Sequence, residues 1–353
     1  MKILLIKFRN IGDVLLSTPL IENLTEIYDH PQIDFAINAE CKDMLSLNPN
    51  INRLIVYNRR IKTNLITKIK LELDYIKSIR KTNYDIIINL TEGDRGILTS
   101  LFSKSKLKLG FKPRNGILKY INVFDKHGDD YSKVHTIDKD LQFITLLEKS
   151  IVSKHVSIYW DQDDIEIVDQ LLEKFNVNSF IQIHPVSRWM FKCWEDERMA
   201  KVIDYLQDNK GKRIIITASP DKIEQNRVHE IIRLCKSQPI NFMGQLSLRQ
   251  LAYLSSRSEF YFGIDSAPMH MAAAVNTPVF ALMGGSEPVY WGPWDNYKME
   301  STYLNVEGKQ FMGENIVISD TNHDIFYDNG VKKCRGMINI TYENVLGVLN
   351  EKL

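Results

Sequence analysis

The chain has 353 residues, 44% of them hydrophobic and 25% charged, with a formal net charge of +1. This is globular composition, and the length suits two domains of roughly 100–200 residues each, which excludes collagenous and disordered classes. Cys41, Cys193, Cys235 and Cys334 are far apart with no CxxC pair, so neither a disulfide scaffold nor a cysteine zinc site is expected.

In chain order, residues 2–7 (KILLIK) read as a buried strand, followed by a turn containing Gly12 and a helical run, VLLSTPLIENL. Too short and too charged for a signal peptide, this start opens a fold. Buried strands follow at 33–38, 53–57 and 84–90, with helices over 64–81 and 135–149. The pattern then restarts. Residues 163–175 form a helix with acids in its first turn, where the helix dipole favours them. Strands at 179–184, 212–218, 240–243, 259–264 and 278–284 alternate with helices at 192–207, 224–235, 246–256 and 267–275. The last helix, 342–353, is amphipathic.

Alternating strands and helices imply parallel sheets with right-handed crossovers. The expected fold class is α/β, two Rossmann-like doubly wound domains facing across a crevice. The expected division is 1–160, 161–340, and a C-terminal helix, 341–353, packing back on the first domain. No sequence repeat marks the two halves. Open α/β sheets bind ligands at the carboxyl ends of their strands, so the crevice is the default site. No apolar run reaches the ~18 residues of a membrane span. The expected location is cytoplasmic, peripheral to a membrane.

Charge is unevenly spread. Lys and Arg outnumber Asp and Glu up to residue 160, and the reverse holds beyond it. Residues 53–81 hold nine cations against Glu72 and Asp74, and residues 104–119 hold six with no acid. Such segments suit an anionic acceptor or membrane surface. Part of them is ordinary solvated surface. No recognition-helix or aromatic-interleaved signature accompanies them, so nucleic acid is not an expected partner.

Three segments carry chemistry. In Gly263-Ile264-Asp265-Ser266-Ala267-Pro268-Met269-His270 a strand gives way to a helix. Free N–H groups at such a start form an anion site suited to a diphosphate, with His270 on the first turn. A plain connection with a buried histidine is the alternative. In His184-Pro185-Val186-Ser187-Arg188-Trp189-Met190-Phe191-Lys192-Cys193-Trp194, Arg188 and Lys192 are candidate phosphate partners and Ser187 a hydroxyl donor. A solvated surface loop is the alternative here. In Asn10-Ile11-Gly12-Asp13, Asp13 begins a helix, as a cap or as a general base. An acid stabilised by a helix start is a weaker base, and that tension stays open. There is no GxGxxG and no P-loop, which disfavours a nicotinamide oxidoreductase. Asp161-Gln162-Asp163 matches a metal-binding DxD pattern but opens a helix and reads as capping acids.

Together, KILLIKFRNIGDVLLSTPLI, HPVSRWMFKCW and GIDSAPMHMAAAVNTPVFAL resemble the bacterial heptosyltransferases, glycosyltransferase family 9, over nearly the whole chain. The forms of the second and third motifs look closest to members that add the third heptose of the lipopolysaccharide core. The resemblance implies a GT-B fold, an acceptor-binding first domain, a donor-binding second domain and no metal or cofactor beyond the donor substrate, ADP-heptose. By the same resemblance, Asp13 matches the catalytic acid and Lys192 the diphosphate-contacting lysine, with Ser187 at a neighbouring hydroxyl position. Asp265, Ser266 and His270 match the family's D-[ST]-G-x-x-H loop, with Ala267 and Pro268 departing from its glycine form. Leu246 matches an apolar residue under the adenine, and the ribose-contacting acid falls near Asp221 or Glu224. Arg59, Arg60, Lys62, Lys112 and Arg114 are the candidate acceptor contacts. The implied reaction is inverting transfer of heptose to a lipid-linked anionic saccharide at the inner-leaflet surface. The alternatives are a GT-B enzyme acting on another nucleotide sugar, such as a 2-epimerase, and an inactive ADP-sugar-binding protein.

Overall fold

The computed structural model describes residues 1–58, 64–112, 122–129, 133–301, 309–312, 314–320 and 322–352. It divides into two compact units, Met1–Tyr159 and Trp160–Leu353.

Among the described residues, the first unit holds six parallel strands: β1 (Lys2–Lys7), β2 (Gln32–Asn38), β3 (Arg53–Tyr57), β4 (Ile86–Asn89), β5 (Leu107–Phe111) and β6 (Lys126–Gly128). Their order is β3-β2-β1-β4-β5-β6. From its second residue on, β1 is buried without alternation, as a strand covered on both faces must be. The helices are α1 (Ile11–Leu15), α2 (Thr18–Ile27), α3 (Leu65–Thr82), α4 (Asp94–Phe102) and α5 (Thr136–Leu146). The single helix expected after β1 is broken, with Pro19 in the first turn of its second piece, where a missing N–H costs nothing.

The second unit contains β7 (Ile181–His184), β8 (Ile214–Ile216), β9 (Ile240–Asn241), β10 (Tyr261–Ile264), β11 (Val279–Met283), β12 (Lys309–Met312) and β13 (Asn315–Ser319). The sheet order is β12-β13-β11-β10-β7-β8-β9, with β12 antiparallel to β13 and the rest parallel. Reading β9-β8-β7-β10-β11-β13 repeats the order of the first sheet. The duplication absent from the sequence is thus present in the topology. An exposed hairpin, β14 (Ile325–Asp328) and β15 (Val331–Cys334), stands apart from this sheet.

The helices of the second unit are α6 (Gln162–Lys174), α7 (Asp196–Asp204), α8 (Lys222–Leu234), α9 (Leu248–Arg257), α10 (Ala267–Ala274), α11 (Pro288–Trp291), α12 (Arg335–Asn339) and α13 (Tyr342–Lys352). One expectation is corrected. The helix expected from residue 192 starts at Asp196, because Met190–Lys192 is a separate 3-10 turn. The last helix buries Val345, Val348 and Leu349 in the core of the second unit, among residues such as Trp194 and Val202.

Both sheets reverse direction beside their first strand, between β1 and β4 and between β7 and β10. Ligands of doubly wound sheets bind at the carboxyl ends of strands at this switch point. The three motif segments follow β1, β7 and β10.

Candidate functional site

In the second unit, the chain leaves β7 through Pro185 and the buried Val186 and Ser187 into the 3-10 turn that carries Lys192. Trp194 pins this turn: its buried indole donates to the Ile340 carbonyl at 2.8 Å. Lys192 Nζ lies 2.5 Å from Asp265 Oδ2, just past the end of β10. Ser286, beyond β11, donates to the same carboxylate oxygen. Gly285 packs on the lysine stem, where an added Cβ would stand 3.2 Å from Lys192 Cγ. Three neighbouring strands thus deliver their following loops to one ion pair. Gly285 and Ser286 were not among the expected site residues; the Gly-Gly-Ser run directly after an apolar strand is the signal that marks them.

The loop after β11 is held from behind. A Cβ on Gly284 would lie 2.3 Å from the backbone of Gly336 and Met337. The Gly284 carbonyl accepts from Cys334 Sγ at 3.1 Å and lies 3.0 Å from His323 Nδ1. Lys332, on the hairpin, places its ammonium 4.6 Å from the centre of the Phe191 ring. The hairpin and α12 therefore buttress both the glycine loop and the Lys192 turn.

An ammonium has three N–H donors, and Asp265 need occupy only one, so the pair can hold a lysine in place while it meets an anion. Next to it, α10 begins at Ala267. Ser266 is extended, Pro268 lies in the first turn, and Met269 and His270 are buried. The free N–H groups of such a start favour negative charge. Ser187 Oγ accepts from Trp189 N at 3.2 Å, and the exposed Arg188 places its guanidinium 5.3 Å from the Trp189 ring centre. His184 is buried against the Thr217 hydroxyl at 3.0 Å, and burial pushes its pKa down to about 4, so it is neutral near pH 7.

Asp221, Glu224 and Leu246 stand one and two strands further along the same edge, after β8 and β9. Asp221 caps α8 by accepting from Ile223 N at 2.8 Å. Glu224 is buried and accepts from Ser219 N at 3.3 Å. Leu246 is half-buried and follows Gly244, whose φ of +69° suits glycine. A Cβ on Gly244 would lie 2.3 Å from the Gln225 amide nitrogen, so the turns after β8 and β9 adjoin.

In the first unit, Asp13 lies on α1 and is buried. Its carboxylate accepts from Arg9 Nε at 3.2 Å and from Asn10 N at 3.3 Å. Beneath it is a pair the sequence did not announce. Lys7, the last residue of β1, contacts Asp140 of α5, and both side chains are sealed from solvent, at 3% and 4% exposure. Burial raises the Asp140 pKa; the Lys7 charge opposes this, and the nearby Asp13 carboxylate adds to the rise. Lys139 meets Glu92, in the loop after β4, at 3.4 Å. Two carboxylates, Asp13 and Asp140, thus share the switch point with one buried ammonium. Lys7 ends an apolar strand, and Asp140 sits four residues after a helix start, so neither position carries a local motif.

Of the expected acceptor contacts, Lys112 is exposed just past β5. Its charge adds to the burial that lowers the His127 pKa. Arg59, Arg60, Lys62 and Arg114 lie outside the described residues. In the Asp-Gln-Asp run, Asp161 caps α6, accepting from Asp164 N at 3.0 Å. Among the described residues no group of three or more His, Cys, Asp or Glu is placed to hold a metal ion, and no helix is long and apolar enough to cross a membrane.

Residues 73–315 match the sequence profile of glycosyltransferase family 9 (heptosyltransferase). The chain is 32% identical over 292 residues to lipopolysaccharide heptosyltransferase 3 of Escherichia coli K12, covering 80% of this chain and 82% of the relative. A second Escherichia coli lipopolysaccharide heptosyltransferase 3 is 28% identical, covering 81% of this chain and 84% of the relative. The crystal structure of a family 9 glycosyl transferase from Veillonella parvula superposes with a TM-score of 0.78 at 21% identity, covering 99% of this chain and 96% of that one. The fold is accordingly the GT-B class, built from two Rossmann-like units.

Proposed function

The chain belongs to glycosyltransferase family 9, the heptosyltransferases, and on that premise we propose that it transfers heptose from ADP-heptose to the lipopolysaccharide inner core, as the third heptose, with inversion and without a metal. The observation that carries the donor half is the convergence of Lys192, Asp265 and Ser286 beside the start of α10. Fixed donors at strand ends do for a leaving diphosphate what a divalent cation does elsewhere. The third-heptose reading rests on the two relatives of that name, at 32% and 28% identity.

In this mechanism the acceptor hydroxyl oxygen attacks the anomeric carbon in line with the departing ADP oxygen. One C–O bond forms as the other breaks, which inverts the centre. Asp13 takes the hydroxyl proton, a contribution worth roughly 10²–10⁴-fold. Lys192 and Arg188 neutralise the charge that develops on the diphosphate, and the backbone N–H groups of Ser266 and Ala267 donate hydrogen bonds to it; Pro268 has no N–H to give, and that of Met269 is held by the Ser266 carbonyl. Ser187 and His270 complete the phosphate contacts. Leu246 lies under the adenine, and Asp221 or Glu224 meets the ribose. The second unit binds the donor. The first binds the anionic acceptor, with Lys112, Arg59, Arg60, Lys62 and Arg114 as its cations, at the cytoplasmic face of the inner membrane.

The test is ADP release from ADP-heptose, with and without a core acceptor already bearing two heptoses, in the presence of a chelator. Release that requires this acceptor and survives chelation is the expected result. Release with an acceptor bearing only one heptose would move the assignment to an earlier step. Loss on chelation would end the metal-independent mechanism. Asp13→Ala is expected to lose turnover and keep ADP affinity; the reverse pattern would remove Asp13 from the base role.

A further inference from the structure

The two ends of α3 differ. Its C-terminal half is built into the first unit: Ile79 is buried and the Tyr75 hydroxyl meets Thr99 Oγ1 at 2.9 Å. Midway along, Glu72 pairs with Arg95, whose guanidinium lies over the Tyr57 ring. Its N-terminal half leaves large apolar side chains in solvent. Leu65 is 72% exposed, Ile66 79%, Ile69 52% and Leu73 54%, while Leu71, 46% exposed, lies on the opposite side of the helix. Such residues scattered singly mean little, but four on one helix face form a patch.

Their arrangement is ordered. At about 100° per residue, Leu65, Ile69, Leu73 and Ile66 fall within about 100° of arc. Lys68 borders this stripe on one side, and Lys70, Lys77 and Lys81 on the other. Two acids share these borders: Glu72, between Lys68 and the stripe, is paired with Arg95, and the exposed Asp74 lies beside Lys70 and Lys81. A stripe of Leu and Ile edged on both sides by lysine matches a surface with an apolar interior and anionic headgroups. Lysine stems lie along the apolar layer while their ammonium groups reach the phosphates. A protein partner would call for acids to receive these lysines but not for cations on both borders.

We propose that the N-terminal half of α3 is a membrane-docking element, lying in the plane of an anionic bilayer with Leu65, Ile66, Ile69 and Leu73 inserted below the headgroups. Its purpose follows from the lipid-linked acceptor read above, but the binding itself is a property of the helix and needs neither donor nor acceptor.

The experiment is cosedimentation of the full chain with vesicles of roughly one part phosphatidylglycerol to three parts phosphatidylethanolamine, against phosphatidylcholine vesicles, over a salt series. Binding to the anionic vesicles alone, weakening as salt screens the lysines, is expected. Replacing Leu65, Ile66, Ile69 and Leu73 together by Ser should lower the partition coefficient on the order of a hundredfold or more. Lys70→Glu with Lys77→Glu should lower it and flatten the salt dependence. Because the four apolar side chains are exposed, the Ser variant should keep the parent's ADP release on a delipidated acceptor. Equal binding by parent and Ser variant, or no vesicle binding by the parent, overturns the proposal. So does loss of turnover on the delipidated acceptor with vesicle binding intact, which would assign the stripe to the reaction itself. Vesicle binding by a chain that releases no ADP would sustain the docking element and reject the transferase reading instead.

Discussion

Among the described residues, each unit carries a Lys–Asp pair at the carboxyl edge of its sheet, and these two pairs differ in access to water. Lys7 and Asp140 are 3% and 4% exposed; Lys192 and Asp265 are 21% and 9% exposed. A sealed pair cannot trade partners, because separating it leaves a bare charge in a dry interior. A lysine open to solvent on one side can keep its aspartate and still take an anion. Identical chemistry therefore serves two ends. The first pair is a fixed charge arrangement beside Asp13, and the second is, in the proposed mechanism, the receptor for the diphosphate.

Breaking the sealed pair gives the largest expected effect on stability. Asp140→Asn strands the Lys7 ammonium and should cost about 3–5 kcal/mol in urea unfolding, with ADP affinity unchanged. The double change Lys7→Met with Asp140→Leu should recover most of that loss. No recovery would mean that the pair does more than satisfy itself.

His184 extends the comparison to the second unit, where the sealed group is neutral. Its folded pKa of about 4 lies below the ordinary 6.5. The unfolded chain therefore binds a proton in this window that the folded chain refuses. The contribution is intact above pH 6.5 and is lost as pH falls toward 4, by about 3 kcal/mol. The difference in unfolding free energy between the parent and His184→Gln should change by that amount across the window. A constant difference would show that the imidazole titrates normally.

The open pair sharpens the contrast at the smallest free energy. Lys192→Ala should weaken ADP binding roughly tenfold to a hundredfold, the scale of one charge-assisted bond, and lower turnover with it. Its stability should fall by less than that of Asp140→Asn, because the Lys192 side reaches solvent and Ser286 still donates to the Asp265 carboxylate. Calorimetric titration with ADP and urea unfolding of the same variant measure both sides. Unchanged ADP affinity would make Lys192 a structural partner of Asp265.

Much of this was legible in the chain. The strands at 2–7, 179–184 and 259–264 are apolar runs bounded by turn residues, and each is followed by a motif segment. Their order in the sheet places those segments at the two switch points. What was not legible has physical reasons. β6 is three residues, Lys126–Gly128, too short for any period to register. The Lys7–Asp140 pair spans 133 positions and exists only through the packing of α5 against the sheet. The hairpin at Ile325–Cys334 is a different case. Its Asn329-Gly330 turn, with φ of +49° and +78°, is the commonest short-range hairpin signal and was open to be read. The 3-10 turn at Met190–Lys192 follows from Trp194 reaching the Ile340 carbonyl, a contact 146 positions away.

The hydrogen bond from Asn10 N to the Asp13 carboxylate ties the proposed base to the start of its own helix. An asparagine there offers a carbonyl oxygen to the same N–H, so the helix would begin as before while the ability to take a proton disappears. Aspartate and asparagine codons differ by a single nucleotide. On the role proposed for Asp13, the step from an enzyme to a binder of its donor is one mutation wide, at the cost of the ion pair with Arg9.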